Sequence, residues 1–91
     1  MMHVETERAR IRRERRERLK FMKRAMNFDV HDDAERESIV ESLKDAFSDI
    51  KVHTFGTVIS YQPGENTRFL IFYYLLGWFS ARGQKIVWID P

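Results

Sequence analysis

The sequence predicts an α+β protein in which two N-terminal helices precede a three-stranded antiparallel β-meander. Residues 5–26 are strong helix formers without Gly or Pro, and residues 33–49 carry apolar side chains at helical spacing. From residue 52 onward, β-branched and aromatic residues alternate with Gly and Pro turns. Because 91 residues allow one domain at most, we expect a projecting basic helical arm over residues 1–18 and a single small α+β domain over residues 19–91.

The first predicted helix, residues 5–26, has charged pairs and little apolar surface. Arg10 and Glu14 lie four positions apart, a spacing that stabilises a helix by roughly 0.2–0.5 kcal/mol per pair. Apolar residues gather only near its end, where Leu19 and Met22 share one face. We therefore expect this helix to be anchored at its C-terminal end.

The second predicted helix, residues 33–49, is amphipathic. Asp32 followed by Glu35 resembles a capping box and marks its start. We predict that Leu43 and Phe47 face the sheet. The apolar positions that recur every three or four residues are Ile39, Val40, Leu43, Ala46, Phe47 and Ile50.

The last third of the chain predicts the strands. Residues 52–61 favour one strand with a bulge at Gly56, and residues 62–65 fit a type II turn. Residues 67–74 are dense in aromatic and β-branched side chains, and residues 85–89 complete the meander. The alternative is an α-α-β-α-β order with a buried helix over 66–81 between parallel strands. The meander is favoured because a helix that is apolar all round is hard to enclose in so small a domain.

Charge is strongly segregated along the chain. Residues 1–27 contain ten Arg or Lys against four Glu, a balance of +6. Residues 28–50 contain eight acids against two basic residues, a balance of −6, and the remainder brings the total to +2. A basic segment of this kind indicates an anionic partner.

The basic residues of the first helix form a cationic stripe, because several of them recur every four positions. Guanidinium groups at this spacing can contact successive phosphates of DNA or RNA. We predict a small non-enzymatic binding protein, accessory or regulatory, whose Arg-rich helix engages nucleic acid. The predicted nucleic-acid-binding residues are Arg8, Arg12, Arg13, Arg15, Arg16, Lys20, Lys23 and Arg24.

An acidic protein surface is the alternative partner. In that interpretation the chain is a protein–protein interaction module, such as a phage- or plasmid-type inhibitor or adaptor that binds an acidic and apolar surface of a larger host complex. The aromatic residues exceed what one side of a small sheet can cover, so Phe72, Tyr74 and Trp78 are predicted to line a partner or homodimer interface.

Several function classes lack support in the sequence. The chain has no Cys, which excludes disulfides and thiolate metal sites. His31 stands beside two aspartates, but the capping role explains Asp32, so we predict no metal site and no cofactor. No catalytic motif is visible. The thirteen uncharged residues 69–81 are fewer than the ~20 that span a bilayer, so we expect no membrane partner, and a cytoplasmic location.

Overall fold

The computed structural model describes residues 6–91. Three helices and a four-stranded antiparallel sheet make an α+β fold, which confirms the predicted class. The helices are α1 (Glu7–Lys23), α2 (Asp33–Ala46) and α3 (Arg68–Ala81). The strands are β1 (Met26–Asp29), β2 (Lys51–Phe55), β3 (Val58–Gln62) and β4 (Val87–Trp88).

The sheet has the strand order β2-β3-β1-β4, and each neighbouring pair is antiparallel. Strands β3 and β4 both run antiparallel to β1, so they are parallel to each other with β1 between them. After α1, the order β-α-β-β-α-β with this split crossover is the ferredoxin-like topology. Many unrelated functions share that topology, so it assigns none by itself.

Strand β1 is central in the sheet although the sequence predicted helix through residue 26. Helix α1 ends at Lys23, and the backbone N–H of Ala25 still bonds to the Met22 carbonyl at 3.2 Å. The next residues alternate between the two faces of the sheet, with Phe28 facing α2 and α3 and Asn27 facing away. Asn27 and Phe28 are both buried, so β1 is a core strand although it has no long run of apolar residues.

Strands β2 and β3 form a hairpin where the sequence predicted one strand with a bulge. Gly56 has φ +61°, a conformation open mainly to glycine, and it turns the chain with Thr57. The Thr57 hydroxyl donates to the Asp29 carboxylate across the sheet. The predicted type II turn at 62–65 is also wrong in detail, because Gly64 does not adopt a positive φ.

Helix α3 replaces the strand predicted at residues 67–74, and the meander was wrong there. The alternative helix over 66–81 was right, although its flanking strands are not adjacent because β1 separates them. Ile71, Leu75 and Phe79 recur every four residues and are buried against the sheet. Only this stripe is enclosed. Burial of one face overrides the β propensity of the segment, and the opposite face remains in solvent.

The core lies between the sheet and the two helices α2 and α3. Helix α2 begins as predicted, with the Asp32 carboxylate accepting the Glu35 N–H at 2.8 Å. Leu43 is fully buried, whereas Phe47 ends the helix half-buried, with its ring 5.6 Å from that of Tyr74. The buried apolar side chains are Phe28, Val30, Ile39, Leu43, Val52, Ile59, Tyr61, Ile71, Leu75 and Phe79.

Tyr61 makes the stability of this core depend on alkaline pH. Burial raises the pKa of its phenol from 10.0 to about 12, with Arg68 opposing the shift. The folded chain therefore holds this proton more tightly than the unfolded chain does. The stabilisation is present below pH 10 and is lost as the pH rises to about 12. A rise of two units in the pKa corresponds to roughly 2–3 kcal/mol of folding free energy.

We expect the free energy of unfolding, measured by urea denaturation, to fall between pH 10 and pH 12. Tyr61→Phe should remove the part of the fall that belongs to this phenol. Tyr73→Phe is the matched control, because that side chain is 66% exposed in the folded chain. An equal slope in wild type and Tyr61→Phe would contradict the assignment.

Candidate nucleic-acid interface

The C-terminal end of α1 is attached to the sheet face that points away from α2 and α3. Asn27 is buried there, and its amide donates to the carbonyls of Met22 at 2.8 Å and Ala25 at 3.1 Å. Its amide oxygen accepts the hydroxyl of buried Ser60. These bonds fix the last turn of the basic helix to β1 and β3.

Aromatic contacts fix the rotation of α1 about its axis. The Phe21 ring lies 4.7 Å from His53 and 6.2 Å from Phe55, both on β2. The Arg18 guanidinium lies 5.9 Å from the centre of the Phe55 ring. The α1 residues that border a hollow together with Phe55 are Ile11, Glu14, Arg15 and Arg18. One side of α1 is therefore turned toward β2.

The opposite side of α1 is predominantly basic, with one carboxylate, that of Glu17, at its edge. With 3.6 residues per turn, Glu7 and Glu14 fall on the side toward Phe55, and Glu17 falls near the margin. We call the exposed cations that point away from Phe55 the basic face. They are Arg12, Arg13, Arg16, Lys20, Lys23 and, just after the helix, Arg24.

The predicted site residues mostly share this face. Arg8 lies at its margin, whereas Arg15 borders the hollow at Phe55. Arg10, which the sequence analysis left out of the site, lies near Glu14 at 3.9 Å on the other side. The structure thus separates the cations of the basic face from Arg10, Arg15 and Arg18, which lie beside Glu14 or Phe55. The shared face of Leu19 and Met22 did not identify the side that meets the sheet, because Leu19 is 49% exposed and Phe21 makes the contact.

Helix α1 is highly exposed along its length. Every residue from 6 to 20 is exposed, and α1 has no buried residue. The described chain measures 56 × 29 × 23 Å, and a 17-residue helix is about 25 Å long. The arm predicted over residues 1–18 stays a prediction, and its first five residues lie outside the described part of the chain.

The three residues predicted for a partner interface make contacts within the chain. Phe72 stacks on Trp88 with ring centres 5.8 Å apart and an interplanar angle of 16°. Tyr74 meets Phe47 edge to face, and the Arg82 guanidinium lies 3.7 Å from the centre of the Trp78 ring. All three predicted residues are half-buried. Their role in an interface remains a prediction.

A different set of α3 side chains faces solvent. Phe69 is 74% exposed and Tyr73 is 66% exposed, and they lie on the side opposite the buried stripe. Sequence reasoning missed this apolar face because a strand over residues 67–74 would place Phe69, Ile71 and Tyr73 on one side. In the helix Ile71 is buried, whereas Phe69 and Tyr73 are exposed. The exposed large apolar residues of α3 are Phe69, Leu70, Tyr73 and Leu76.

Other kinds of site find little support in the described residues. His31 Nε2 lies 2.6 Å from the Asp29 carboxylate, but its side chain is 83% exposed. Within residues 6–91, no three His, Asp or Glu side chains are grouped to hold a metal ion. In the same part of the chain, no helix has the length and apolar character needed to cross a bilayer.

No protein-family model, no curated protein and no solved structure matches this chain. Topology alone assigns no activity. The interface is therefore argued from its own side chains, and the cytoplasmic location and lack of enzymatic activity expected from the sequence remain predictions.

Proposed function

We propose that this chain is a nucleic-acid-binding protein of accessory or regulatory type, and that the basic face of α1 contacts the phosphate backbone. The observation that carries the proposal is the segregation of charge around α1. Six cations point away from Phe55, while Glu7 and Glu14 point toward it. A polyanion approaching this side meets six cations, with the Glu17 carboxylate near the margin.

The attachment of α1 supports the same function. A helix that rotated freely would present its glutamates as often as its arginines. The bonds of Asn27 and the packing of Phe21 hold Glu7 and Glu14 on the side toward Phe55. Cations fixed along one side of a helix can follow a phosphate backbone, and each neutralised phosphate releases counterions.

The test compares two charge-matched double variants. Arg12→Gln with Arg16→Gln removes two cations from the basic face, and Arg10→Gln with Arg15→Gln removes two from the other side. Gln has nearly the helix propensity of Arg, so α1 is preserved in both. The first variant should make the slope of log affinity against log salt on duplex DNA shallower by about 1.8, since each phosphate contact contributes about 0.9.

The second double variant is the control and should keep most of the wild-type slope. Fluorescence anisotropy from about 50 to 200 mM salt, a range over which such contacts change affinity strongly, gives both slopes. Equal losses from the two variants would mean that net charge, not the basic face, governs binding. Absence of binding to DNA and RNA at the lowest salt would refute the proposed function.

A protein partner is the second candidate function, and the exposed face of α3 favours it. Monomeric proteins rarely leave several large apolar side chains in one contiguous patch, yet Phe69, Leu70 and Tyr73 are all more than half exposed. An acidic and apolar surface on another protein could engage both this face and α1. The salt experiment separates the candidates, because the protein-binding function needs no affinity for nucleic acid.

A further inference from the structure

A groove beside the start of α3 joins basic and aromatic side chains. Its aromatic part is a cleft of about 290 Å³, bordered by Tyr61, Phe69, Phe72 and Tyr73 together with Met26 and Arg68. Its basic part is a hollow of about 470 Å³, bordered among others by Lys23, Arg24 and Glu65. Met26 and Arg68 border both parts, so the two adjoin each other.

The basic part continues the basic face of α1. Lys23 and Arg24 are the last cations of that face, and both are exposed. Arg68, the first residue of α3, adds a third cation; Glu65 is the acid among the bordering residues, and the Asp49 carboxylate lies against Gly64. A nucleic-acid strand whose phosphates follow the basic face of α1 toward the sheet therefore reaches this groove.

The aromatic part offers rings that are already in solvent. Phe69 and Tyr73 lie four positions apart on α3, so they are neighbours on one side of the helix. Phe72 lies behind them and is held by its stack on Trp88. In a duplex the bases are stacked on one another, so only unpaired bases can lie against such rings.

We propose that the groove binds an unpaired segment of nucleic acid, with phosphates at Lys23, Arg24 and Arg68 and bases on Phe69 and Tyr73. The proposal rests on the proposed function and adds single-stranded DNA or RNA as the ligand of the groove, beside the phosphate contacts of the basic face. Arg68 borders the exposed rings, and Lys23 and Arg24 border the adjoining hollow, which favours a phosphate-bearing ligand over a purely apolar partner surface. Proteins that bind single strands combine these two features, a positive groove and aromatic stacking platforms.

The test uses four probes that separate the contributions of the bases, the sugar and strand pairing. They are a thymidine strand of about twelve nucleotides, within the usual site sizes of ~4–16, an abasic strand of equal length, a uridine strand and a duplex. Wild-type protein should bind the thymidine strand more tightly than the abasic one. Comparison of the thymidine and uridine strands tells whether DNA or RNA is preferred.

Phe69→Ala with Tyr73→Ala should weaken binding of the thymidine strand roughly 5- to 100-fold, the usual loss for one stacked base. Binding of the abasic strand and of the duplex should change little, because the cations remain. Leu70→Ala is the matched control, since Leu70 is 59% exposed on the same helix but does not border the cleft. These exposed positions permit folding of all the variants.

Three results would overturn the inference. Equal affinity of wild-type protein for the thymidine and abasic strands would show that bases are not contacted. A loss of duplex affinity as large as that for the single strand would show a general effect on the protein. A variant that changes a dimer to a monomer in sedimentation, with base dependence unchanged, would make this face a subunit contact. If the wild-type protein binds the duplex in any of these cases, the proposed function stands. If the wild-type protein binds none of the probes, both the proposed function and the groove proposal are refuted.

Discussion

Phe28→Ala is expected to cost about 3–5 kcal/mol of folding free energy, the range for a buried Phe replaced by Ala. Phe28 is 0% exposed on the central strand β1. Its ring centre lies 6.2 Å from Tyr61, 6.0 Å from Phe79 and 5.7 Å from Trp88, each edge to face. The substitution removes a ring shared by β1, β3, α3 and β4. Domains of this size have about 5–10 kcal/mol in total, so the variant should be close to unfolding.

Phe69→Ala is the matched control, because the same atoms are removed from a side chain that is 74% exposed. Its cost should stay within about 0.5 kcal/mol, as for ordinary surface changes. Urea denaturation followed by far-ultraviolet circular dichroism measures both. Similar midpoints for the two variants would contradict the central position of β1.

The same strand shows where sequence reasoning reaches its limit. The four residues of β1 follow a strong helix and include Asn27 and Asp29, which are common in turns. Nothing in so short a segment shows that a neighbouring strand will pair on each side. Its strand character comes from the tertiary pairing with β3 and β4, a contribution that local patterns do not contain.

Helices α2 and α3 illustrate the two extremes of predictability. Helix α2 has a capping aspartate and apolar residues on one face, so its start and the burial of Leu43 could be predicted. Helix α3 has apolar residues on every side, and periodicity cannot then distinguish helix from strand. The apolar residues that made this segment ambiguous include the exposed Phe69 and Tyr73. We propose these two residues as a stacking surface.

The candidate site could be predicted in part. The density of cations in α1 is visible in the sequence, and most of the predicted residues share the basic face. Their separation from Glu7 and Glu14 depends on which side of α1 meets the sheet, and that depends on Phe21 and Asn27. Arg68 lies 44 positions after Arg24 in the sequence, so only the folded chain brings the two to one groove.

Asn27→Ala is expected to cost about 2–4 kcal/mol, because it removes several bonds at a buried position. The Asn27 amide holds the carbonyls of Met22 and Ala25 at the end of α1, and its oxygen accepts the Ser60 hydroxyl. In the variant the Ser60 hydroxyl stays buried without this acceptor. Amide hydrogen exchange should therefore show lower protection in the last turn of α1, and urea denaturation should show the loss in global stability.

The Asn27–Ser60 pair can be isolated by adding Ser60→Ala, which removes the hydroxyl that Asn27→Ala leaves unpaired. The double variant should be more stable than the sum of the two single losses implies, with a coupling of about 0.5–3 kcal/mol. Strictly additive losses would contradict a direct bond. Because this pair connects β1 and β3 beneath α1, weakening it should also let the basic face rotate. Duplex binding should then depend more equally on Arg12 and Arg10, which lie on opposite sides of a fixed α1.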